Sequence, residues 1–253
     1  MTHDFPTIEI LRIPFARLTA ADALAQIETL YEREEPAFVA HANVHTVNLA
    51  VADDGYRDVL RTADMVLNDG KGVMLGARLL GERFPEDLNG NFMTPLVIER
   101  AERNRWPTFL LGAKPGIPER LEEVLREQHP SLEIRGTHHG HFGAAGEDDV
   151  VARIRDSGAQ LLLVGMGNPH QERFLHRRLR DTGVRLGIGV GAYFDFQTGT
   201  VTRAPRWMNE HGLEWVYRLV QEPQRMWKRY LVGNPAFVLR VLGSKRSSVH
   251  NDR

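Results

Sequence analysis

The stretch LLLVGMGNPHQE, residues 161–172, decides the fold class of this chain. Four consecutive apolar residues end in Gly165 and Gly167, a pattern typical of a short strand that is buried on both faces. Pro169 then suits the first position of a helix, where its missing N–H costs nothing, and the other N–H groups of that first turn can hold a phosphate. The stretch therefore predicts a strand, a glycine turn and a helix. A connection without a ligand stays open, and the incomplete G-x-G-x-x-G fingerprint disfavours a dinucleotide site.

Four further apolar runs occupy residues 38–40, 65–67, 109–111 and 186–190. Stretches with helical spacing lie between the runs, at residues 44–62, 116–129, 148–157 and 170–181. This alternation predicts an α/β fold, a doubly wound, Rossmann-like parallel sheet with helices on both faces. Because ligands of such sheets bind at the carboxyl ends of the strands, we expect the residues there to form a nucleotide site. The candidate nucleotide-binding residues at these ends are Asn43, Gly112, Ala113, Gly165, Gly167, Pro169 and Gly191.

The stretch MVLNDGKGVMLGARLLG, residues 65–81, places Asp69 between a predicted strand and a helix that begins among glycines. A carboxylate in this place can take a proton from an acceptor hydroxyl as a general base. Aspartate is equally suited to cap the helix, and that alternative stays open. Lys71 can approach a diphosphate, but a single lysine is weak evidence for one.

Three histidines stand close together in RGTHHGHF, residues 135–142. Their spacing does not match the i, i+4 pair of a zinc hydrolase, so we favour a glycine-rich loop in which Gly140 lies against a base or a sugar. The chain has no cysteine, which excludes a disulfide scaffold, a thiolate metal site and a cysteine nucleophile. It also has no Walker motif and no G-x-S-x-G motif. We expect neither a metal nor a cofactor.

Charge and aromatic residues divide the chain into a core, residues 1–197, and a helical appendage, residues 198–253. Residues 200–253 carry a formal charge of +6 and the rest of the chain carries −7, so the appendage is predicted to meet an anionic partner. Helices are predicted over residues 203–217 and 220–241, where Trp and Tyr alternate with Arg and Lys, as at a membrane interface. A helix pair packed on the core stays open as the alternative. No apolar run reaches the roughly 18 residues of a membrane span and the N-terminus lacks the pattern of a signal peptide, so we expect a soluble or peripheral protein.

The chain resembles the WecG/TagA/CpsF family of bacterial glycosyltransferases from about residue 8 to residue 242. The most specific parts are residues 66–81, residues 161–172 and the stretch GVGAYFDFQTGTVTRAPRWMNEHGLEW, residues 189–215. The resemblance implies an inverting, metal-independent transferase that uses a UDP-sugar and an acceptor sugar linked through diphosphate to a polyprenol. It also implies a Rossmann-like core whose C-terminal helical appendage approaches the membrane.

The resemblance assigns roles to single residues. It implies that Asp69 is the catalytic base, that Gln171 is the active-site glutamine of a P-x-Q-E motif, and that Asn43 ends the first core strand. The residues it places near the acceptor diphosphate are Arg218, Arg225, Lys228 and Arg229. Two positions depart from many relatives: His41 stands in place of a threonine, and Asp87 in place of an arginine that helps with phosphate charge. The surrounding FPEDLNGN is similar to the branch that transfers glucose in xanthan-type exopolysaccharide synthesis, so the donor can be of the glucose or the N-acetylmannosamine type.

The expected function is transfer of a hexose from a UDP-sugar to a polyprenyl-diphosphate-linked sugar, in surface polysaccharide biosynthesis. The expected location is cytoplasmic, peripheral at the inner face of the cell membrane. The alternative is a non-catalytic module that binds UDP-sugars at the membrane as a regulator. Nucleic acid is not an expected partner, because the core is acidic, and a homo-oligomer is left open.

Overall fold

A computed structural model of the chain describes residues 4–201, 208, 216–217, 224 and 227–251. The strands are β1 (Thr7–Ile10), β2 (Ile13–Ala16), β3 (Ala37–Ala42), β4 (Met65–Asn68), β5 (Thr108–Gly112), β6 (Ile134–His138), β7 (Leu161–Gly165) and β8 (Leu186–Gly189). The helices are α1 (Ala20–Glu32), α2 (Val44–Ala52), α3 (Asp54–Arg61), α4 (Lys71–Leu80), α5 (Gly90–Arg103), α6 (Ile117–Gln128), α7 (Glu147–Asp156), α8 (His170–Arg178), α9 (Tyr193–Gln197) and α10 (Asn234–Asn251). A 3₁₀ turn covers Leu179–Thr182 and a π-helical segment covers Lys228–Gly233.

The main sheet has six parallel strands in the order β4-β3-β8-β7-β5-β6. Every residue of β3, β4, β5, β7 and β8 is buried, as expected for strands that are covered on both faces. The predicted doubly wound parallel sheet is therefore confirmed. The hairpin of β1 and β2 forms a separate two-stranded antiparallel sheet.

The helices divide between the two faces of the main sheet. One apolar cluster joins α2, α3, α4, α7, α8 and α10, and the other joins α1, α5, α6 and α9. The helix after β8 therefore lies on the opposite face from the helices after its neighbours β3 and β7. Because the helices that follow neighbouring strands lie on opposite faces here, the carboxyl end of β8 is a topological switch point. Open α/β sheets bind ligands at such points.

Several boundaries differ from the sequence prediction. The helix predicted over residues 44–62 is broken at Asp53, because that carboxylate accepts a hydrogen bond from Tyr56 N, at 2.9 Å, and starts α3. The helix predicted over residues 170–181 ends at Arg178 and continues as the 3₁₀ turn. Pro169 is the N-cap of α8, one position before the predicted place in the helix.

The last helix, α10, packs against α2 and α4. Phe237 is 1% exposed and lies against Gly76, where a Cβ atom would come within 2.5 Å of the phenyl ring. Asn48 Nδ2 donates to the carbonyl of Gly233 at 2.8 Å, and Lys245 Nζ donates to the carbonyl of Leu79 at 2.9 Å. Of the helices predicted in the appendage, the larger part of residues 203–226 lies outside the described residues.

Candidate active site

Asn43 and Asp69 meet at the carboxyl ends of β3 and β4. Asn43 caps α2: its Oδ1 accepts hydrogen bonds from His45 N at 3.0 Å and Thr46 N at 3.2 Å. Because the cap occupies the oxygen, the Asn43 amide presents Nδ2 to the neighbouring strand, where it donates to Asp69 Oδ2 at 2.9 Å. The N–H of Asp69 donates to the carbonyl of Ala42 at 3.0 Å. The backbone and side chain of Asp69 are both held by the end of β3.

Asp69 does not cap the helix that follows it. The N-cap of α4 is Gly70, which has φ 92° and makes no side-chain capping bond. The helix-cap alternative for Asp69 is therefore wrong for this structure. The carboxylate is partly exposed at the edge of the sheet, a position from which it can reach a ligand.

A second carboxyl group lies beside Asp69. Asp87 Oδ1 accepts a hydrogen bond from the N–H of Gly70 at 2.9 Å, so the loop before α5 is fixed against the start of α4. Burial raises the pKa of Asp87 above its ordinary value, and the charge of Asp69 raises it further, against the lowering effect of the hydrogen bonds from Gly70 and Asn89.

His41 ties the ends of β3 and β8 together. Its Nδ1 lies 2.9 Å from the carbonyl oxygen of Gly189, and a carbonyl only accepts, so Nδ1 carries the proton. Burial lowers the pKa of His41, which keeps the imidazole neutral near pH 7. The ring is 5% exposed.

The glycine-rich loops after β5, β6 and β7 fit closely into one another. A Cβ atom at Gly112 would come within 2.5 Å of the Gly165 backbone, so only glycine lets the two strand ends approach this closely. Ala113 N donates to the carbonyl of Gly165, and Gly140 N to the carbonyl of Ala113, both at 2.9 Å. These two N–H groups are therefore used within the protein, and the space beside Gly112 and Gly140 is filled by protein atoms.

Gln171 joins the loop after β7 to the loop after β8. Its Oε1 accepts hydrogen bonds from Gly167 N at 3.2 Å and Gly191 N at 3.1 Å, and its Nε2 donates to Glu172 Oε1 at 2.7 Å. The side chain is 1% exposed, so its amide contacts these loops. Gly167 and Gly191 have positive φ angles of 74° and 59°, and a Cβ atom at either would meet nothing within 4 Å.

Glu172 is the site residue that the sequence analysis missed. It is 0% exposed, and its carboxylate accepts hydrogen bonds from Asn168 Nδ2 at 2.6 Å and from the hydroxyl of Tyr56 at 3.0 Å, besides the one from Gln171. Helical spacing could have identified it, since Gln171 and Glu172 lie four and three residues before the buried Leu175 and thus on the same face.

The structure brings Asn43 and Asp69 to the same edge of the sheet as the glycine-rich loops after β7 and β8. Asn43 and Asp69 follow adjacent strands, and Gly191 follows β8 on the other side of β3, so Asp69 stands two strand spacings, about 10 Å, from the end of β8. Lys228 and Arg229 open the π-helical segment that packs on α2, and Lys228 is exposed. Arg218 and Arg225 lie outside the described residues.

Within residues 4–201 and 227–251, together with the isolated positions described between them, no three His, Asp or Glu side chains converge as metal ligands would. In the same part of the chain no helix combines the length and the apolar character that crossing a bilayer requires.

Comparison with known proteins gives one consistent result. Residues 8–251 match the glycosyl transferase WecG/TagA/CpsF family. An N-acetylglucosaminyldiphosphoundecaprenol N-acetyl-beta-D-mannosaminyltransferase of Bacillus spizizenii (strain ATCC 23059 / NRRL B-14472 / W23) is 31% identical over 96% of this chain and 93% of its own length. Enzymes with the same name from Bacillus subtilis (strain 168) and Staphylococcus aureus (strain MW2) are 29% and 26% identical, over 95% and 94% of this chain and 93% of each relative. The chain therefore belongs to the glycosyl transferase WecG/TagA/CpsF family.

Proposed function

We propose that this protein is an inverting, metal-independent hexosyltransferase that moves a sugar from a UDP-sugar to a polyprenyl-diphosphate-linked sugar. The observation that carries the proposal is Asp69, a partly exposed carboxylate held by Asn43 at the carboxyl-end edge of the parallel sheet. The names of the matched relatives, which act on N-acetylglucosaminyldiphosphoundecaprenol, support the lipid-linked acceptor.

In the proposed reaction Asp69 takes the proton from the attacking hydroxyl of the acceptor sugar. The hydroxyl oxygen then bonds to the anomeric carbon of the donor while the bond from that carbon to the UDP oxygen breaks. A single displacement inverts the anomeric centre. The Nδ2 bond from Asn43 holds the carboxylate in one orientation, and a general base positioned in this way typically contributes about 10²–10⁴-fold to the rate.

The donor is proposed to bind in the crevice at β8, with its diphosphate along the loops of Gly112, Gly167 and Gly191. The N–H groups of Gly167 and Gly191 already donate to Gln171, so backbone donors alone do not meet the charge of the leaving UDP. Arginine and lysine side chains therefore supply it, since guanidinium groups pair bidentately with phosphate. Arg218, Arg225, Lys228 and Arg229 are the proposed cations.

Residues 198–253 are proposed to face the membrane and the acceptor. Exposed apolar side chains on the π-helical segment and α10 support this, because Leu231 and Val232 are each 57% exposed and Leu239 is 69% exposed. They share this region with the exposed Lys228, a combination that suits an anionic lipid surface. The protein would then act at the inner face of the cell membrane, in the synthesis of a surface polysaccharide.

The test offers UDP-glucose and UDP-N-acetylmannosamine in parallel to the purified protein, with a synthetic lipid-diphosphate-sugar acceptor. We expect UDP release and a lengthened lipid-linked product that depends on the acceptor, with EDTA changing the rate by no more than about twofold. Binding of UDP-sugar without any product would instead favour the regulatory module. Loss of activity in EDTA that Mn²⁺ or Mg²⁺ restores would overturn the metal-independent reaction.

A further inference from the structure

The amide of Gln171 holds two loops at a fixed separation. The oxygen of this one side chain bonds to Gly167 N, after β7, and to Gly191 N, after β8. These loops line the crevice at the switch point of the sheet. A reversal of the amide would therefore break both of these hydrogen bonds together.

An amide group has an acceptor end and a donor end of nearly the same shape, so its orientation is determined by its hydrogen-bond partners. For Gln171 the determining partner is Glu172. Its Oε1 accepts from Gln171 Nε2 at 2.7 Å, which turns Oε1 of Gln171 toward the two glycine N–H groups. In the flipped orientation an NH₂ group would face two N–H donors and an oxygen would face the carboxyl group.

Glu172 is itself fixed by groups from two other places in the chain. Asn168 Nδ2 donates to the same Oε1, at 2.6 Å, and the hydroxyl of Tyr56, on α3, bonds to Oε2 at 3.0 Å. The two bonds that govern Gln171 and Asn168 thus share one oxygen. They persist when a proton binds Oε2, because the Tyr56 hydroxyl can then turn and accept. Burial raises the pKa of Glu172 to about 7, so both states of the carboxyl group are relevant near neutral pH.

We propose that Glu172 is a positioning residue of the donor site: it fixes the amide of Gln171, and through it the loops of Gly167 and Gly191, in the arrangement that binds the donor diphosphate. The inference rests on the proposed function and extends it to a residue that does not touch the substrate. Its effect falls on donor binding, because the chemistry is assigned to Asp69 at the other end of the crevice.

The experiment compares Glu172→Met, which has a similar size but no hydrogen-bond acceptor of this kind, with Glu172→Gln, which keeps Oε1. We expect Glu172→Met to raise the KM for the UDP-sugar roughly tenfold or more while kcat changes far less, since a hydrogen bond involving a charged group is lost. Glu172→Gln should stay within about twofold of the wild type, because its oxygen accepts both bonds and its NH₂ donates to Tyr56. Tyr56→Phe removes only the bond at Oε2 and is the matched control, with an unchanged donor KM.

A second measurement does not depend on catalysis. Amide hydrogen exchange at Gly167 and Gly191, followed by NMR, should be protected in the wild type and in Glu172→Gln and about tenfold or more faster in Glu172→Met. If Glu172→Met does not fold, Gln171→Met replaces it, since it removes the oxygen that accepts from both glycine N–H groups. Fast exchange at both glycines is expected there as well.

The outcomes separate the inference from the function. Unchanged exchange in Glu172→Met or in Gln171→Met would overturn the positioning role, even if the wild type transferred no sugar at all. Fast exchange with an unchanged donor KM would overturn the link between these loops and the donor. A double variant of Gln171 and Glu172 no worse than either single variant supports the inference, because residues that act through one another are not additive, whereas fully additive losses would contradict it.

Discussion

Two carboxyl groups at the same edge of the sheet, Asp69 and Glu172, have opposite surroundings. Asp69 is partly exposed and is held through Asn43. Glu172 is 0% exposed and accepts hydrogen bonds from Gln171, Asn168 and Tyr56. An accessible carboxylate can exchange a proton with a ligand, whereas a buried one that is bonded on both oxygens contacts only groups of the protein. The same chemical group is thus proposed to act as a general base at Asp69 and as a positioning residue at Glu172.

The largest expected effect is that of Asp69→Asn. We expect kcat to fall about 10²–10⁴-fold, because an amide cannot take the proton of the acceptor hydroxyl. The free energy of unfolding should hardly change, since Asp69 does not cap α4. Steady-state transfer and chemical denaturation measure the two quantities, and donor binding by calorimetry is the control. Near wild-type turnover would remove Asp69 from the mechanism.

The next effect concerns stability at Glu172. The pKa of this residue rises from 4.5 to about 7 on folding, chiefly through burial, so the folded state holds more protons between these pH values. The folded state is therefore destabilised progressively as pH rises through this window, by up to about 3 kcal/mol above pH 7. Glu172→Gln has no such proton, and its stability relative to the wild type should increase from pH 4.5 to pH 8. Urea denaturation at both pH values measures this, and a difference that stays constant would contradict it.

A smaller effect is expected for Asn43→Ser. Serine caps helices as well as asparagine does, so α2 should remain stable, but the bond to Asp69 Oδ2 is lost. We expect kcat to fall roughly tenfold with little change in the melting temperature. Asn43→Ala is the paired variant, since it loses the cap as well and should lower the stability by about 0.5–2 kcal/mol. Equal activity in Asn43→Ser and the wild type would show that the hydrogen bond from Asn43 does not contribute to the reaction of Asp69.

The smallest expected effect is that of Asp87→Asn. Burial and the charge of Asp69 both raise the pKa of Asp87, so its ionisation destabilises the folded state as pH rises through the folded pKa. The asparagine variant should therefore be slightly more stable than the wild type at neutral pH, by less than the gain from Glu172→Gln. Thermal unfolding at pH 5 and pH 8 distinguishes this from a change independent of pH.

The sequence predicts the fully buried strands well and the other strands poorly. The five apolar runs correspond to β3, β4, β5, β7 and β8, because parallel strands covered on both faces are apolar throughout. The sequence predicts a histidine-rich loop where β6 lies, since Arg135 is exposed and Gly136 interrupts the apolar pattern. It does not predict the hairpin of β1 and β2, because each strand has only four residues and the turn depends on positive φ angles at Leu11 and Arg12.

For the candidate site, the sequence predicts the positions of the residues but not the hydrogen bonds between them. The strand-end positions of Asn43 and Asp69 follow from the apolar runs, but their hydrogen bond depends on which strands become neighbours. Strand order is set by the packing of helices over both faces, which no local pattern records. The burial of Gln171 and Glu172 was within reach of helical spacing, whereas the bond between Glu172 and Tyr56 joins residues 116 positions apart in the chain.

The contact between Gly76 and Phe237 also has a consequence for how this sequence can diverge or be recombined. The phenyl ring occupies the space of the missing side chain, so substitution of the glycine requires a smaller residue at position 237 in the same lineage. The two positions should therefore covary among relatives although 160 residues separate them. A chimera that takes its C-terminal segment from another member of the family will fold well only when the incoming side chain at position 237 fits against Gly76 on α4.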